Sequence, residues 1–156
     1  MKTLILYATK YGATREIAER ISDNLEDAVS YDLKQGDLPD LAEFDCVIIG
    51  SSLYAGSIRK EAKAFLAKNV DTLRQKKIGL FLSGMASEDG QKNFADNFPG
   101  EIVQAAKASS VLGGIFDPSR VGRLERMVMK AVTKKSEYVS TIDDEKIKTF
   151  VKNMTS

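Results

Sequence analysis

"TLILYATKYGATREIAERI", Thr3 to Ile21, changes its character midway. The stretch Thr3–Ala8 is an unbroken apolar run, as expected of a strand covered on both faces rather than one. From Ala13 onward Ile17, Ile21 and Leu25 recur at four-residue spacing, with Glu16, Arg20 and Asp23 elsewhere, which predicts an amphipathic helix over 13–25. Between them lies TKYGAT, a tight turn rich in hydroxyls. A buried strand that turns sharply into a helix is the opening unit of an α/β protein.

The same kind of run recurs at 46–51, 78–83 and 110–116, and a weaker, more alternating one at 28–33 reads as an edge strand. Helical patterns fill the gaps at 57–68, 91–98, 101–107, 121–133 and 144–153. The stretch 33–45 lacks a helical period and reads as a connection with one broken turn. This order predicts an α/β fold: a doubly wound, five-stranded parallel sheet in a three-layer α/β/α sandwich, one domain over 1–156.

Composition narrows the chemistry. The chain has 156 residues, a net charge of +1, one cysteine and no histidine or tryptophan. Near-neutral charge does not announce a nucleic-acid binder. Without histidine, and with Cys46 alone, zinc sites of the usual ligand types and any histidine base are excluded. Cys46 lies in an apolar run and reads as a small buried thiol. No run approaches the ~20 residues needed to span a bilayer, and no signal peptide is expected. A reducing cytoplasm suits the single cysteine, and a cytoplasmic protein, peripheral at the inner face of the membrane if the basic stretch from Arg120 to Lys135 docks there, is the expectation.

In a doubly wound sheet, ligands bind outside the carboxyl ends of the strands. Three loops fall there. In the first, Thr9, Lys10, Tyr11, Gly12, Ala13 and Thr14 combine a helix N-terminus, which favours an anion, with hydroxyl donors and a glycine that permits close backbone approach. The plainer reading makes Thr9 a helix cap and Gly12 a turn residue. Neither GxxxxGK[ST] nor GxGxxG is present, so one terminal phosphate suits the turn better than a pyrophosphate. In the second, Ser51, Ser52, Leu53, Tyr54, Ala55 and Gly56 surround one aromatic that could stack on a planar ring or merely cover the sheet end. Gly56 could turn a peptide carbonyl toward that ring. In the third, Ser83, Gly84, Met85 and Ala86 offer a close backbone and a soft apolar contact, or simply an exposed turn. Together they describe a ligand with a phosphate at one end and a flat ring at the other.

These motifs resemble the flavodoxin family. Thr9, Gly12 and Thr14, after an opening strand and before a helix, are similar to that family's phosphate loop. Within it, MKTLILYATKYGATREIAERI, IIGSSLYAG and GGIFDPSRVGRLERMVMKAV resemble the flavodoxin-type, menaquinone-dependent protoporphyrinogen oxidases. The resemblance implies a flavodoxin-like fold and FMN as cofactor. It implies that Thr9 to Thr14 hold the phosphate, and that Ser51 to Gly56 and Ser83 to Ala86 border the ring. It also implies electron transfer through the flavin, to a redox partner protein or to a small-molecule or quinone substrate. No side chain is assigned as acid or base. A receiver-type signalling domain would need acids at the strand ends, where this chain has YATK and GSSL.

One stretch stands apart. From Arg120 to Lys135, the cations Arg120, Arg123, Arg126, Lys130, Lys134 and Lys135 face a single acid, Glu125. It reads either as a packed helix with a solvated basic side or as a peripheral docking surface for an anionic membrane or acidic partner.

Overall fold

The computed structural model describes residues 1–84, 90–116 and 138–156. Strands β1 (Thr3–Ala8), β2 (Ala28–Asp32), β3 (Cys46–Ser52), β4 (Lys77–Ser83) and β5 (Ala108–Val111) form one sheet in the order β2-β1-β3-β4-β5. Every neighbouring pair is parallel. Helices α1 (Ala13–Asp23), α2 (Lys60–Leu73), α3 (Gly90–Asn97), α4 (Gly100–Ala105) and α5 (Asp144–Thr155) surround it. The weak strand is an edge strand, as its alternation predicts. Between it and β3 the chain makes two short 3-10 turns, Leu33–Gln35 and Leu41–Glu43, rather than one.

The unbroken apolar runs are explained by cover on both faces. Leu4, Leu6, Val47, Ile49, Leu80 and Leu82 point to one side, where they meet Phe65 and Leu66 of α2 and Ile102 of α4. Ile5, Tyr7, Cys46, Ile48 and Phe81 point to the other, against Ile17 and Ile21 of α1 and Phe150 and Met154 of α5. Successive residues of one strand thus feed opposite cores. Gly50 is required by this packing: a Cβ there would lie 2.0 Å from the Phe81 ring, which lies over it from the paired position of β4. Among the described residues no helix is long and apolar enough to cross a membrane.

Two elements depart from expectation. The helix predicted over 57–68 starts at Lys60 and runs to Leu73, because Ser57 is drawn into a turn with Tyr54 and Arg59 is extended. The strand predicted over 110–116 is two pieces. β5 ends at Val111, Gly113 takes φ +99°, and β6 (Ile115–Phe116) leaves the main sheet to pair antiparallel with β7 (Val139–Ser140). Gly113 is needed there, since a Cβ would fall 2.1 Å from the Thr141 carbonyl oxygen. The helix expected over 121–133 and the basic stretch from Arg120 to Lys135 lie outside the described residues.

Candidate functional site

The strand order reverses between β1 and β3, and the crevice beyond their carboxyl ends is where such sheets bind ligands. The first two loops meet there with the start of the third, Ser83–Gly84. After β1, the Thr9 hydroxyl accepts the Gly12 N–H at 2.8 Å and closes the turn. Thr9 is therefore not the helix cap; Gly12 is, in a left-handed conformation at φ 99°. The amides of Ala13, Thr14 and Arg15 open α1 with no acceptor among the described residues. Such a terminus attracts an anion through its free N–H groups and its dipole.

Thr14 is completely buried, and its hydroxyl lies 2.7 Å from that of Ser83 at the end of β4. Only one of the two protons is used in that bond, so the accepting hydroxyl keeps a proton for another oxygen. Ser83 also holds the second loop, since its carbonyl accepts the Leu53 N–H at 2.9 Å. The first and second loops meet through Lys10, whose Nζ stands 3.4 Å from the centroid of the Tyr54 ring and 5.3 Å from that of Tyr11.

The second loop is a two-residue hairpin. Tyr54 and Ser57 exchange backbone hydrogen bonds of 2.9 and 3.1 Å, with Ala55 at φ 53° and Gly56 at φ 77°. Positive φ at both central residues defines a type I′ turn. It lifts Tyr54 into solvent, 46 % exposed, so its ring is accessible for stacking. Beneath it the Ser51 hydroxyl accepts the Arg59 N–H at 2.9 Å. The Ser52 hydroxyl is buried with no hydrogen-bond partner among the described residues. A buried hydroxyl without a partner costs about 1–3 kcal/mol unless something satisfies it.

The structure therefore brings together Thr9, Lys10, Tyr11, Gly12, Ala13, Thr14, Ser51, Ser52, Leu53, Tyr54, Ala55, Gly56, Ser83 and Gly84. Met85 and Ala86 lie outside the described residues. The Gly56 carbonyl accepts from Asn97 Nδ2 at 3.0 Å. Sequence reasoning missed Asn97. Its only local signal is its place before Phe98-Pro99, which reads as a helix end and not as a tie to a loop far away in the chain. Behind the site, burial and then Asp32 push the Tyr7 phenol up. Burial likewise pushes up the Cys46 thiol, so neither is poised to ionise near neutrality.

Unpaired helix-terminal amides, a donating buried hydroxyl and the orphaned Ser52 suit a phosphate monoester carrying a polyol, and the exposed Tyr54 suits a flat ring. The fold and site define an open α/β domain of this ligand class. The chain belongs to the flavodoxin domain family, whose model matches residues 4–143. FMN is accordingly its cofactor, and carrying electrons through that flavin, to redox partners, is its function. It is 24 % identical over 146 residues to protoporphyrinogen IX dehydrogenase [quinone] of Escherichia coli, covering 87 % of this chain and 81 % of that one. Oxidised flavodoxin 2 from Bacillus cereus superposes with a TM-score of 0.63 at 20 % identity, over 99 % of this chain and 98 % of the other. A Fusobacterium nucleatum flavodoxin bound to flavin mononucleotide gives 0.52 at 23 % identity, over 71 % and 69 %.

Proposed function

We propose that the chain holds the FMN phosphate in the Thr9–Thr14 turn and the ring between Tyr54 and the Ser83–Gly84 end of β4, and serves as an electron carrier. The observation that carries this reading is the meeting of the first two loops with the Ser83–Gly84 end of β4 at the β1/β3 crevice, with unspent donors. The amides of Ala13 and Thr14 bind the phosphate oxygens. The spare proton of the Thr14–Ser83 pair serves the same group. Ser52 receives or donates a hydrogen bond along the sugar-alcohol chain. Tyr54 shields one face of the ring, and Lys10 brings positive charge beside it. Bound flavin supplies the reversible uptake of one or two electrons, and the protein supplies orientation and electrostatics. No side chain is assigned as acid or base.

The test is titration of the flavin-free protein with FMN, followed by visible absorption. Saturable binding near or below about micromolar, roughly −8 kcal/mol or better, with perturbed flavin bands is expected. Failure to bind FMN, or equal affinity for riboflavin, would overturn the phosphate assignment.

A second reading is favoured by the E. coli relative: an oxidoreductase that takes hydrogen from a porphyrinogen and passes electrons to a quinone. Anaerobic mixing of the FMN-loaded protein with protoporphyrinogen and a soluble quinone separates the two. Sustained turnover selects the oxidoreductase; reduction only by a protein donor selects the carrier. A cytoplasmic protein that visits the membrane through its basic stretch would fit the oxidoreductase, and binding to anionic vesicles at low salt tests that.

A further inference from the structure

Asn97, the last residue of α3, reaches across to the second loop. Its Oδ1 accepts the Ile58 N–H at 3.0 Å, and its Nδ2 donates to the Gly56 carbonyl at 3.0 Å. The same nitrogen donates back to the Asn93 carbonyl at 2.8 Å. One side-chain amide thus brackets Ser57 from both sides with its two donors and its acceptor engaged. The bracket also fixes which way the amide faces. Rotating it by half a turn would set NH2 against N–H and oxygen against carbonyl.

Ending a helix does not require this reach. Asn69 in α2 and Asn24 after α1 make the same backward bond, each at 2.8 Å, to Phe65 and Arg20 carbonyls. Neither bridges to a loop among the described residues. The two long-range bonds of Asn97 are additional, and they fall on a turn that needs them. Ala55 sits at φ 53°, a conformation that costs an alanine about 1 kcal/mol or more. A two-residue hairpin is marginal on its own.

We propose that Asn97 is the positioning residue of the ring-binding hairpin. By taking the Gly56 carbonyl and the Ile58 amide it leaves the Ala55–Gly56 peptide as the loop's available amide. That peptide's C=O and N–H make no hydrogen bond among the described residues. Asn97 also ties the second loop to α3, so one side chain fixes where the hairpin stands relative to that helix. The proposal rests on the reading of the site as an FMN site.

The test compares Asn97→Ala, Asn97→Asp and Asn69→Ala. Asn69→Ala removes only the backward helix bond. Asn97→Asp keeps an acceptor for the Ile58 N–H but sets a carboxylate against the Gly56 carbonyl. Three quantities are read: amide exchange at Ser57 and Ile58 without flavin, the FMN dissociation constant, and the separation of the first and second one-electron potentials of the bound flavin. Asn97→Ala is expected to speed exchange and weaken FMN binding by roughly three- to tenfold, the weight of one net hydrogen bond. It should also change the separation of the potentials, while Asn69→Ala moves none of the three. Asn97→Asp is expected to keep Ile58 protected yet change the potentials, and it carries the test if the alanine variant does not fold. Wild-type FMN affinity and potentials in both Asn97 variants would overturn the proposal. If the wild-type protein ignores FMN, the cofactor reading falls instead. The flavin-free exchange measurement tells the two failures apart, because it reports the clamp by itself.

Discussion

Thr14 Oγ1 and Ser83 Oγ lie 2.7 Å apart with neither residue more than 2 % exposed, joining the first turn of α1 to the end of β4. Removing one partner leaves the other hydroxyl buried and unsatisfied. Thr14→Val is therefore expected to destabilise the flavin-free protein by about 1–3 kcal/mol in urea unfolding. Adding Ser83→Ala should restore part of the loss, with a coupling of about 0.5 kcal/mol or more. Strict additivity would show that the two hydroxyls do not act as a pair.

Lys10 places an ammonium 3.4 Å from the centroid of the Tyr54 ring, on the aromatic that the flavin would approach. A cation on an aromatic face contributes about 0.5–2 kcal/mol, more when dry. Lys10→Met should weaken FMN binding about tenfold at low salt and flatten its dependence on ionic strength. Unchanged affinity across a salt series would remove Lys10 from the site.

Gly50 is the point where β3 gives room to Phe81. With the missing Cβ only 2.0 Å from the ring, Gly50→Ala must push Phe81 aside, and with it the edge-to-face contact to Phe150 at 6.4 Å between centroids. A cost of about 3 kcal/mol is expected, partly relieved by combining it with Phe81→Leu. Thermal unfolding of the single and double variants decides it. A harmless Gly50→Ala would contradict the packing described.

Ala55 and Gly56 should respond in opposite directions. Ala55→Gly relieves a left-handed alanine and is expected to leave stability unchanged or raise it by up to about 1 kcal/mol. Gly56→Pro cannot adopt φ 77° and should unravel the hairpin. Its signature would be loss of FMN affinity with the sheet intact by far-ultraviolet circular dichroism.

Cys46 gives a pH dependence. Burial raises its thiol above the ordinary value of 9.0, so the unfolded chain ionises first. The stability it contributes is complete below that value and is lost as pH rises toward the folded-state value. Above about pH 9, wild-type stability should fall more steeply than that of Cys46→Ala, by up to about 1.4 kcal/mol per pH unit. Parallel curves would assign the alkaline loss to other groups, Tyr7 first among them.

The sheet was legible because strands buried on both faces leave unbroken apolar runs, and β1, β3 and β4 match those runs to within a residue. Loops one and two were legible because strand ends in an open sheet are where hydroxyls, a glycine and a lone tyrosine stand out. What stayed hidden needed partners distant in sequence. The Thr14–Ser83 pair spans 69 positions, and Asn97 looks locally like an ordinary helix end. Apolar content could not divide the run at 110–116; the division follows from Gly113 meeting the Thr141 backbone. Ser57 looked helical until its pairing with Tyr54 claimed it.

The β6–β7 ribbon sets Ile115 opposite Ser140 and Phe116 opposite Val139, and the Thr141 N–H closes onto the Gly114 carbonyl at 2.8 Å. The chain thus departs and returns at adjoining points, and none of the five main-sheet strands lies between them. The ribbon works as a clasp: the chain leaves the sheet after β5, and its return toward α5 is held by pairing outside the five-stranded sheet.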